Sequence, residues 1–310
     1  MNRCLITYLP TSNGSYSKQG LAKLSPRLTA LEDIPYTAKE LRKEASLRSV
    51  KMSIAGVQPK LSAKLSVKNS ALEIVDNKGT YIIKPPSDLF DEVPENEDVT
   101  MKMAKVFGIE VPLTGLVKCK DGSLSYFIKR FDRYAKTKKY QLEDFAQLTL
   151  NKRSTKYNWS MEKIVPVLND YCTFPLLEKR KLLRRVLFCF ITGNEDMHLK
   201  NFSLITRENK IELSPAYDFL NSSIAMGEVV EELALPLAGK KSRLKRKHFF
   251  DYYAKERLEL SDKSILSEMH NLVDKKNDLV SLIKVSFLSK NMKEEYLKMM
   301  ENRYDRLLKK

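Results

Sequence analysis

The sequence lacks the features that mark membrane, disulfide-rich and zinc-binding proteins. No apolar run approaches the ~20 residues of a membrane helix, and the first ten residues lack an apolar stretch followed by a small-residue cleavage site. The four cysteines form no CxxC pair, and the three histidines are scattered. We therefore expect a cytoplasmic protein with reduced thiols and no membrane contact.

Glycine (10 residues) and proline (12) are also scarce in the 310 residues, which argues against a disordered or low-complexity chain. What is abundant is positive charge, with 55 Lys and Arg against 39 Asp and Glu and a net charge of +16. Such a charge favours anionic partners such as nucleotides or nucleic acid, but a solvated basic surface would give the same excess. The densest basic run, residues 240–247, is open to both interpretations.

The first half of the chain combines short β-type runs with one helical pattern. Apolar residues cluster in short segments separated by turn residues, as in strands, and one segment instead repeats them at helical spacing. The predicted strands are Leu61–Val67, Ala71–Val75, Thr80–Lys84, Val111–Val117 and Ser125–Phe131, and the predicted helix is Glu95–Phe107.

Beyond about Leu142 the apolar residues recur at helical spacing, most clearly over Leu177–Ile191 and in the tail Ser261–Lys310. A mixed α/β first half followed by a helical second half predicts an α+β fold with two lobes. We place the boundary in the lysine-rich stretch near residues 136–139, so that the two lobes are 1–135 and 136–310.

The segment that follows the predicted helix and Gly193 carries the most informative pattern. Asp196 and Asn201 stand five residues apart, the separation at which protein kinases place their catalytic Asp and a metal-binding Asn. The chemistry explains this spacing, because the Asp must reach the acceptor hydroxyl while the Asn oxygen must reach Mg²⁺ on the phosphates. Taken alone, the pattern also fits an ordinary polar helix-to-loop connection.

A second carboxylate, Asp218, follows two short apolar runs that predict a hairpin, Phe202–Ile205 and Ile211–Leu213. Kinases use such a hairpin to bring a second metal-binding Asp beside the first loop. The sequence Asp218-Phe219-Leu220 departs from the kinase D-F-G at its third residue. Carboxylate and amide oxygens from adjacent loops suit Mg²⁺, although an Asp that caps a turn remains the alternative.

Lys84 closes the predicted strand Thr80–Lys84, as the nucleotide-binding Lys closes a kinase strand. Its ammonium could neutralise phosphate charge or pair with Asp218. Glu97 in the next helix is the expected partner of Lys84, with Glu95 as the competing choice. A solvated strand-end Lys is the alternative, so this element counts only in order with the others.

Residues 53–60 precede the first strand, where a kinase has its phosphate-covering loop. The segment has one glycine instead of a G-x-G-x-x-G motif, but Ala55 and Gly56 are small enough for backbone N–H groups to approach phosphate oxygens, and Lys60 adds charge. The order of these elements along the chain is the one found in kinases: the loop 53–60, the strand that ends in Lys84, the helix with Glu97, the pair Asp196 and Asn201, and finally Asp218. That order predicts phosphoryl transfer, with Asp196, Asn201 and Asp218 converging beneath Lys84.

Several segments resemble the HipA kinase toxins, in the same order as in that family and over about residues 50–250. The matching segments are Ser53–Lys60, Ile82–Pro85, Lys129–Arg133, Glu143–Gln147, Asp196–Ser203, Pro215–Asp218 and Leu235–Lys240. The resemblance implies a two-lobed fold related to protein kinases and a serine/threonine protein kinase activity that uses ATP and Mg²⁺.

The resemblance also implies residue roles. Asp196 would be the catalytic base, Asn201 and Asp218 the metal ligands, and Ser53 a site of autophosphorylation that switches the kinase off. Lys84 would bind the nucleotide, and residues 129–131 would link the lobes where adenine is held. The ATP-binding positions implied are Ala55, Gly56, Val57, Lys60, Lys84, Lys129, Phe131, His198 and Lys200.

The start of the chain resembles the short HipT toxins, which lack the leading subdomain of full-length HipA. This likeness implies a toxin of a toxin–antitoxin system, with antitoxin partners of HipS or HipB type and direct DNA binding only through such a partner. Its implied substrate is an aminoacyl-tRNA synthetase, whose modification arrests translation. Lys51 departs from the two-serine loop of some HipT proteins. A small-molecule or lipid kinase of related fold, or a non-catalytic nucleic-acid binder, remains the alternative.

Overall fold

The computed structural model describes residues 2–12, 14–49, 59–134, 138–151, 155–227 and 231–309. Ser53, Ala55, Gly56 and Val57 of the predicted phosphate loop lie outside these ranges. The chain forms two compact units. Each unit contains segments from distant parts of the sequence, so the units do not correspond to a single division of the chain near residue 135. The first comprises Met1–Val99, Pro112–Thr137 and Val285–Leu288, and the second comprises Thr100–Val111, Lys138–Lys284 and Ser289–Lys310.

The first unit contains an antiparallel sheet that confirms the predicted strands to within a few residues. Its strands are β1 (Leu61–Ser66), β2 (Ala71–Ile74), β3 (Tyr81–Lys84), β4 (Thr114–Lys118) and β5 (Leu124–Lys129), in the order β2-β1-β3-β5-β4. The register pairs Tyr81 with Lys129 and Lys84 with Tyr126. Lys84 therefore ends a strand with neighbours on both sides, and its side chain is buried.

The residues before the sheet supply part of its core. Helices α1 (Lys18–Leu24) and α2 (Ala38–Ser49) and the connecting segments pack with residues of β1, β3 and β5 in one apolar cluster. Ser17 begins α1 by accepting a hydrogen bond from the backbone N–H of Gly20. The buried residues that this N-terminal part contributes to the cluster are Cys4, Ile6, Leu21, Leu24, Leu28, Leu31, Ile34, Leu41 and Ala45.

The helix after β3 is α3 (Val93–Val106), which confirms the predicted helix and begins two residues earlier. Its residues up to Val99 belong to the first unit and the remainder to the second. Two very short strands, β6 (Arg133–Tyr134) and β7 (Lys138–Lys139), follow β5 along the chain.

The second unit is mostly helical, as the sequence predicts. Its three-stranded antiparallel sheet has the order β10-β9-β8. The elements are β8 (Gln141–Asp144), α4 (Phe145–Leu148), α5 (Met161–Tyr171), α6 (Pro175–Thr192), a 3-10 turn (Leu199–Asn201), β9 (Ser203–Arg207), β10 (Lys210–Leu213), α7 (Ser222–Met226), a π-helix (His248–Arg257), α8 (Asp262–Val285) and α9 (Lys290–Leu308). Among the described residues, no helix combines the length and hydrophobicity that crossing a bilayer requires.

Gly193 ends α6 and directs the chain into the segment that carries Asp196. It adopts a left-handed conformation with φ +65°, and its N–H bonds to carbonyls of the last helical turn. A Cβ at this position would lie 2.8 Å from the Ser223 hydroxyl and 2.9 Å from Asn221 Oδ1. Both the backbone conformation and the close packing therefore require glycine here.

Candidate active site

The loop after Gly193 folds back on itself through its own hydrogen bonds. The backbone N–H of His198 donates to the carbonyl of Asp196 (2.8 Å), and that of Asn201 donates to the carbonyl of His198 (2.9 Å). His198 and Asn201 are buried, whereas the Asp196 side chain is exposed. The loop therefore presents one carboxylate to solvent above a fixed polar backbone, which suits a group that must meet a substrate hydroxyl.

The Asn201 side chain is oriented by the same loop. Its amide nitrogen donates to the Asp196 carbonyl at 3.3 Å. Because the nitrogen is used in this way, the amide oxygen is the atom that can bind a cation.

The hairpin of β9 and β10 returns the chain to this loop at Tyr217 and Asp218. The Tyr217 hydroxyl donates to the backbone carbonyl of Lys200 at 3.0 Å and lies 2.5 Å from the Ser203 hydroxyl. Asp218 has φ +57°, a conformation that is uncommon for residues other than glycine and often occurs at functional sites. The hydrogen bond between Tyr217 and Lys200 thus joins the two segments predicted to hold a metal, since these residues directly precede Asp218 and Asn201.

The donors in these two segments fit a hard cation. An amide oxygen and a carboxylate are ligands that Mg²⁺ prefers, and Mg²⁺ commonly completes its shell with water and phosphate oxygens. Within the described ranges, no group of three or more His, Cys, Asp or Glu side chains forms a metal-binding cluster. The chemistry of Asn201 and Asp218 is therefore compatible with Mg²⁺ bound partly by other ligands.

Two residues that the sequence analysis missed contact this loop. The Lys156 ammonium lies 2.7 Å from Nε2 of His198, and the Tyr157 hydroxyl donates to the Asp196 carboxylate. Burial lowers the pKa of His198, an effect that the charge of Asp196 opposes and that of Lys156 reinforces. Burial, and then the hydrogen bond and charge of Asp196, raise the pKa of Tyr157, so its hydroxyl remains a donor. The sequence did not point to Lys156 and Tyr157, because they lie in an irregular segment without a periodic pattern.

Lys200, a predicted ATP-binding residue, pairs with Asp144 at 3.0 Å. Asp144 also caps α4, since its Oδ1 accepts from the Gln147 N–H (2.8 Å) while the Gln147 side chain accepts from the Asp144 N–H (2.9 Å). The lysine bonds to the other carboxylate oxygen, Oδ2. The segment Glu143–Gln147 thus both starts a helix and anchors a cation of the loop.

In the first unit, Lys84 forms an ion pair with Glu97 at 2.7 Å, and both side chains are buried. This pair confirms Glu97, and not Glu95, as the partner of Lys84. Burial, together with the charges of Glu92 and Asp98, raises the pKa of Glu95 to about 7. Glu95 and Glu97 therefore have different environments, although they are only two positions apart in α3.

The remaining predicted nucleotide residues also lie in the first unit. Lys129 is exposed at the end of β5, Phe131 is half-buried, and Lys60 is half-buried just before β1. In the segment that follows β5, Arg130 binds Asp132 with two hydrogen bonds of 2.9 and 2.6 Å. Although burial raises the pKa of Asp132, these bonds and the charges of its arginine neighbours lower it below its usual value. The binding roles of Lys60, Lys129 and Phe131 stay predictions.

Comparison with protein families gives a match over most of the chain. The family described as HipA-like C-terminal domain matches residues 52–279. A candidate kinase of Haemophilus influenzae is 30% identical over 76% of this chain and 74% of its own length. The serine/threonine-protein kinase toxin HipA of Shewanella oneidensis is 28% identical over 59% of this chain. The chain spans less than half, 45%, of that toxin.

Two solved structures share the fold. HipA in the complex of Shewanella oneidensis HipA, HipB and operator DNA superposes with a TM-score of 0.70 and 20% identity, covering 91% of this chain and 73% of the other. The Helicobacter pylori proinflammatory kinase CtkA superposes with a TM-score of 0.53 and 16% identity, covering 73% and 86%. These likenesses confirm the predicted two-lobed, kinase-like α+β fold.

Proposed function

This chain belongs to the HipA family, and on that premise we propose that it is an ATP- and Mg²⁺-dependent serine/threonine protein kinase. The observation that best supports this proposal is the arrangement of the Asp196 loop. An exposed carboxylate stands in the same loop as the buried Asn201, and Tyr217 ties that loop to the segment of Asp218. Phosphoryl transfer needs this combination of a base and oxygen ligands on adjacent loops.

Each residue has a separate task in the proposed reaction. Asp196 accepts the proton of the serine or threonine hydroxyl as that oxygen attacks, which its exposure permits. Asn201 and Asp218 hold Mg²⁺ through their oxygen atoms. When bound, Mg²⁺ neutralises charge on the phosphate oxygens of ATP.

The buried Lys84 adds positive charge for the phosphates, and Glu97 fixes the position of its ammonium. We propose further nucleotide contacts from Lys60, Lys129, Phe131, His198 and Lys200, and from Ala55, Gly56 and Val57 outside the described residues. These contacts are carried by the family resemblance, and the environment of each described residue is compatible with them.

The cellular part of the proposal is that the chain is a cytoplasmic toxin of a toxin–antitoxin system, closest to the short HipT type. A relative is named as a HipA toxin, and a structure of similar fold contains HipB, which supports an antitoxin partner of HipB or HipS type. An aminoacyl-tRNA synthetase is the proposed substrate, and the net charge of +16 suits a partner that carries tRNA. Phosphate on Ser53 would add nearly two negative charges to a loop proposed to meet ATP phosphates.

Transfer of labelled γ-phosphate from ATP to proteins of a cell lysate tests the activity. We expect serine- or threonine-labelled protein bands with the wild-type chain and none with Asp196→Ala, and we expect the same substitution to relieve growth arrest on expression. Labelled lipid or metabolite without labelled protein would replace the proposal with a small-molecule kinase. Salt-dependent nucleic-acid binding without any transfer would indicate a non-catalytic binder. Mass spectrometry of the purified chain tests Ser53.

A further inference from the structure

The dipeptide Lys156–Tyr157 lies against the Asp196 loop at several points. Besides the contact of the Lys156 ammonium with His198, the Lys156 carbonyl accepts a hydrogen bond from the Leu199 N–H at 3.4 Å. The Tyr157 ring meets the His198 ring edge-on, with centroids 5.0 Å apart, and the Lys156 ammonium lies 4.7 Å from the centre of the Tyr157 ring. Backbone and side chains of one short segment thus contact both Asp196 and His198.

The contact between Lys156 and His198 determines where the imidazole proton resides. A lysine ammonium has three N–H donors and no acceptor, so Nε2 of His198 can only accept at the observed 2.7 Å. The proton of a neutral ring is then on Nδ1. Lys156 therefore selects one of the two tautomers that a histidine otherwise exchanges.

Nδ1 of His198 is buried and, apart from a weak interaction of the ring with the backbone of His198 itself, it has no hydrogen-bond partner in the part of the chain that the structure describes. His198 is 6% exposed, so water has little access to this N–H. A buried donor without an acceptor is unfavourable, and a bound oxygen atom is the group that would satisfy it. An anionic phosphate oxygen fits best, because the Nδ1–H can donate and a phosphate has several acceptor oxygens.

Tyr157 acts on the other reactive side chain of the loop. Its hydroxyl donates to Oδ1 of Asp196, whose side chain is exposed. One oxygen of the carboxylate is thereby fixed, which restricts the orientations that the second oxygen can adopt. Orientation of a base in this way contributes to rate by reducing the conformations that are not productive.

We propose that Lys156 and Tyr157 are positioning residues for the kinase reaction. Lys156 holds His198 as the Nδ1–H tautomer, which donates to a phosphate oxygen of the nucleotide, and Tyr157 orients Asp196 towards the acceptor hydroxyl. The kinetic part of this inference rests on the proposed function. The tautomer does not, so it can be tested in a chain without any activity.

The chain offers an internal reference for the tautomer. The backbone N–H of Lys245 donates to Nδ1 of His248 at 2.8 Å, so His248 must accept at Nδ1 and hold its proton on Nε2 when neutral. The sequence contains three histidines, His198, His248 and His270. The two buried ones are therefore opposite tautomers in the same protein.

Long-range proton–nitrogen correlation spectra of the full chain with ¹⁵N-labelled histidine read the tautomers directly. His248→Gln and His270→Gln variants assign the signals. We expect a protonated Nδ1 and an unprotonated Nε2 for His198, and the reverse for His248. Lys156→Arg, which also only donates, keeps this pattern, whereas Lys156→Met gives a mixture. Protonation of His198 on Nε2 in the wild-type chain would overturn the assignment of Lys156.

Kinetics separates the two positioning roles. We expect Lys156→Met to raise the KM for MgATP roughly tenfold with little change in kcat, and Lys156→Arg to restore it. We expect Tyr157→Phe, which retains the ring against His198, to lower kcat roughly 10- to 100-fold with the KM for MgATP unchanged. Lys163→Met and Tyr171→Phe replace exposed residues of α5 and serve as matched controls with wild-type values.

The possible outcomes are distinct. A wild-type kcat in Tyr157→Phe overturns the role of Tyr157. Equal changes of KM and kcat in both variants, with a lowered melting temperature, mean that the segment only stabilises the loop, and this also overturns the proposal. Absence of phosphoryl transfer by the wild-type chain contradicts the proposed function and the kinetic roles, while the histidine spectra still decide the tautomer.

Discussion

Lys84 and Glu97 in the first unit form an ion pair with almost no exposure to solvent, whereas Asp196 in the second unit is exposed and held by a tyrosine hydroxyl. The first pair stands on a central strand and a helix, and the second contact joins two irregular segments. A buried ion pair is strongly destabilising when one partner is removed, because the other charge stays buried. An exposed contact has no such penalty. The first region should therefore couple activity to stability, and the second should separate them.

The largest expected effect separates activity from stability in the second unit. Asp196→Asn removes the proposed base from an exposed position, so transfer should fall roughly 10²- to 10⁴-fold while the melting temperature stays near that of wild type. Single-turnover transfer and thermal unfolding on the same preparation measure both quantities. A large loss of stability would show that Asp196 has a structural task and would remove the contrast.

Breaking the buried pair should affect both quantities. Glu97→Gln removes the carboxylate charge that pairs with the buried Lys84 ammonium, and we expect the free energy of unfolding to fall by about 3–5 kcal/mol together with weaker ATP binding. The double variant Lys84→Met, Glu97→Leu removes both charges and should recover much of the stability but not the ATP affinity. Urea unfolding and calorimetric titration with ATP distinguish these results. A stable Glu97→Gln protein would contradict the coupling.

Gly193 sharpens the comparison, because it is a structural requirement of the loop that carries the exposed Asp196. Gly193→Ala places a Cβ 2.8 Å from the Ser223 hydroxyl in a left-handed conformation. Gly239→Ala has a similar φ of +70° with open space around the Cβ, so it measures the backbone cost alone. We expect about 1 kcal/mol for Gly239→Ala and clearly more for Gly193→Ala in urea unfolding. Equal values would mean that packing at Gly193 is unimportant.

The smallest expected effect is the pH dependence of stability that Glu95 contributes beside the ion-paired Glu97 of the same helix. The pKa of Glu95 is raised to about 7, so the folded state binds a proton that the unfolded state loses near its usual value of about 4.3. The stability contributed by protonated Glu95 is therefore present below pH 4 and is lost as pH rises towards 7 and beyond. Glu95→Gln should stabilise the protein by about 1–3 kcal/mol more at pH 8 than at pH 4. Unfolding titrations at both pH values test this, and a pH-independent effect would contradict it.

Regular elements were predictable from the sequence because their side chains repeat. The strand that ends at Lys84 and the helix that contains Glu97 both follow from apolar periodicity, and their pairing follows from kinase-like order. The hairpin before Asp218 was predictable for the same reason. The end of α6 at Gly193 was predictable because glycine favours the left-handed conformation that ends a helix.

Contacts between irregular segments were not predictable. Lys156 and Tyr157 precede α5 without any period, and only the folded chain shows that they meet residues about 40 positions away. The packing of residues 4–45 into the first unit, and the assignment of 100–111 to the second, depend on long-range contacts that local patterns do not encode. Turn residues also did not reveal that β2 pairs with β1 and not with β3.

Asp144 divides two tasks between the two oxygens of a single carboxylate. Its Oδ1 starts α4 and its Oδ2 holds Lys200. Lys200 could therefore swing to another anion without unravelling the helix, since the atom that supports the helix is not the one it would leave. An amide at this position would retain the first oxygen and lose the anionic charge. A substitution at position 144 can thus change the position of the Lys200 side chain without disrupting α4.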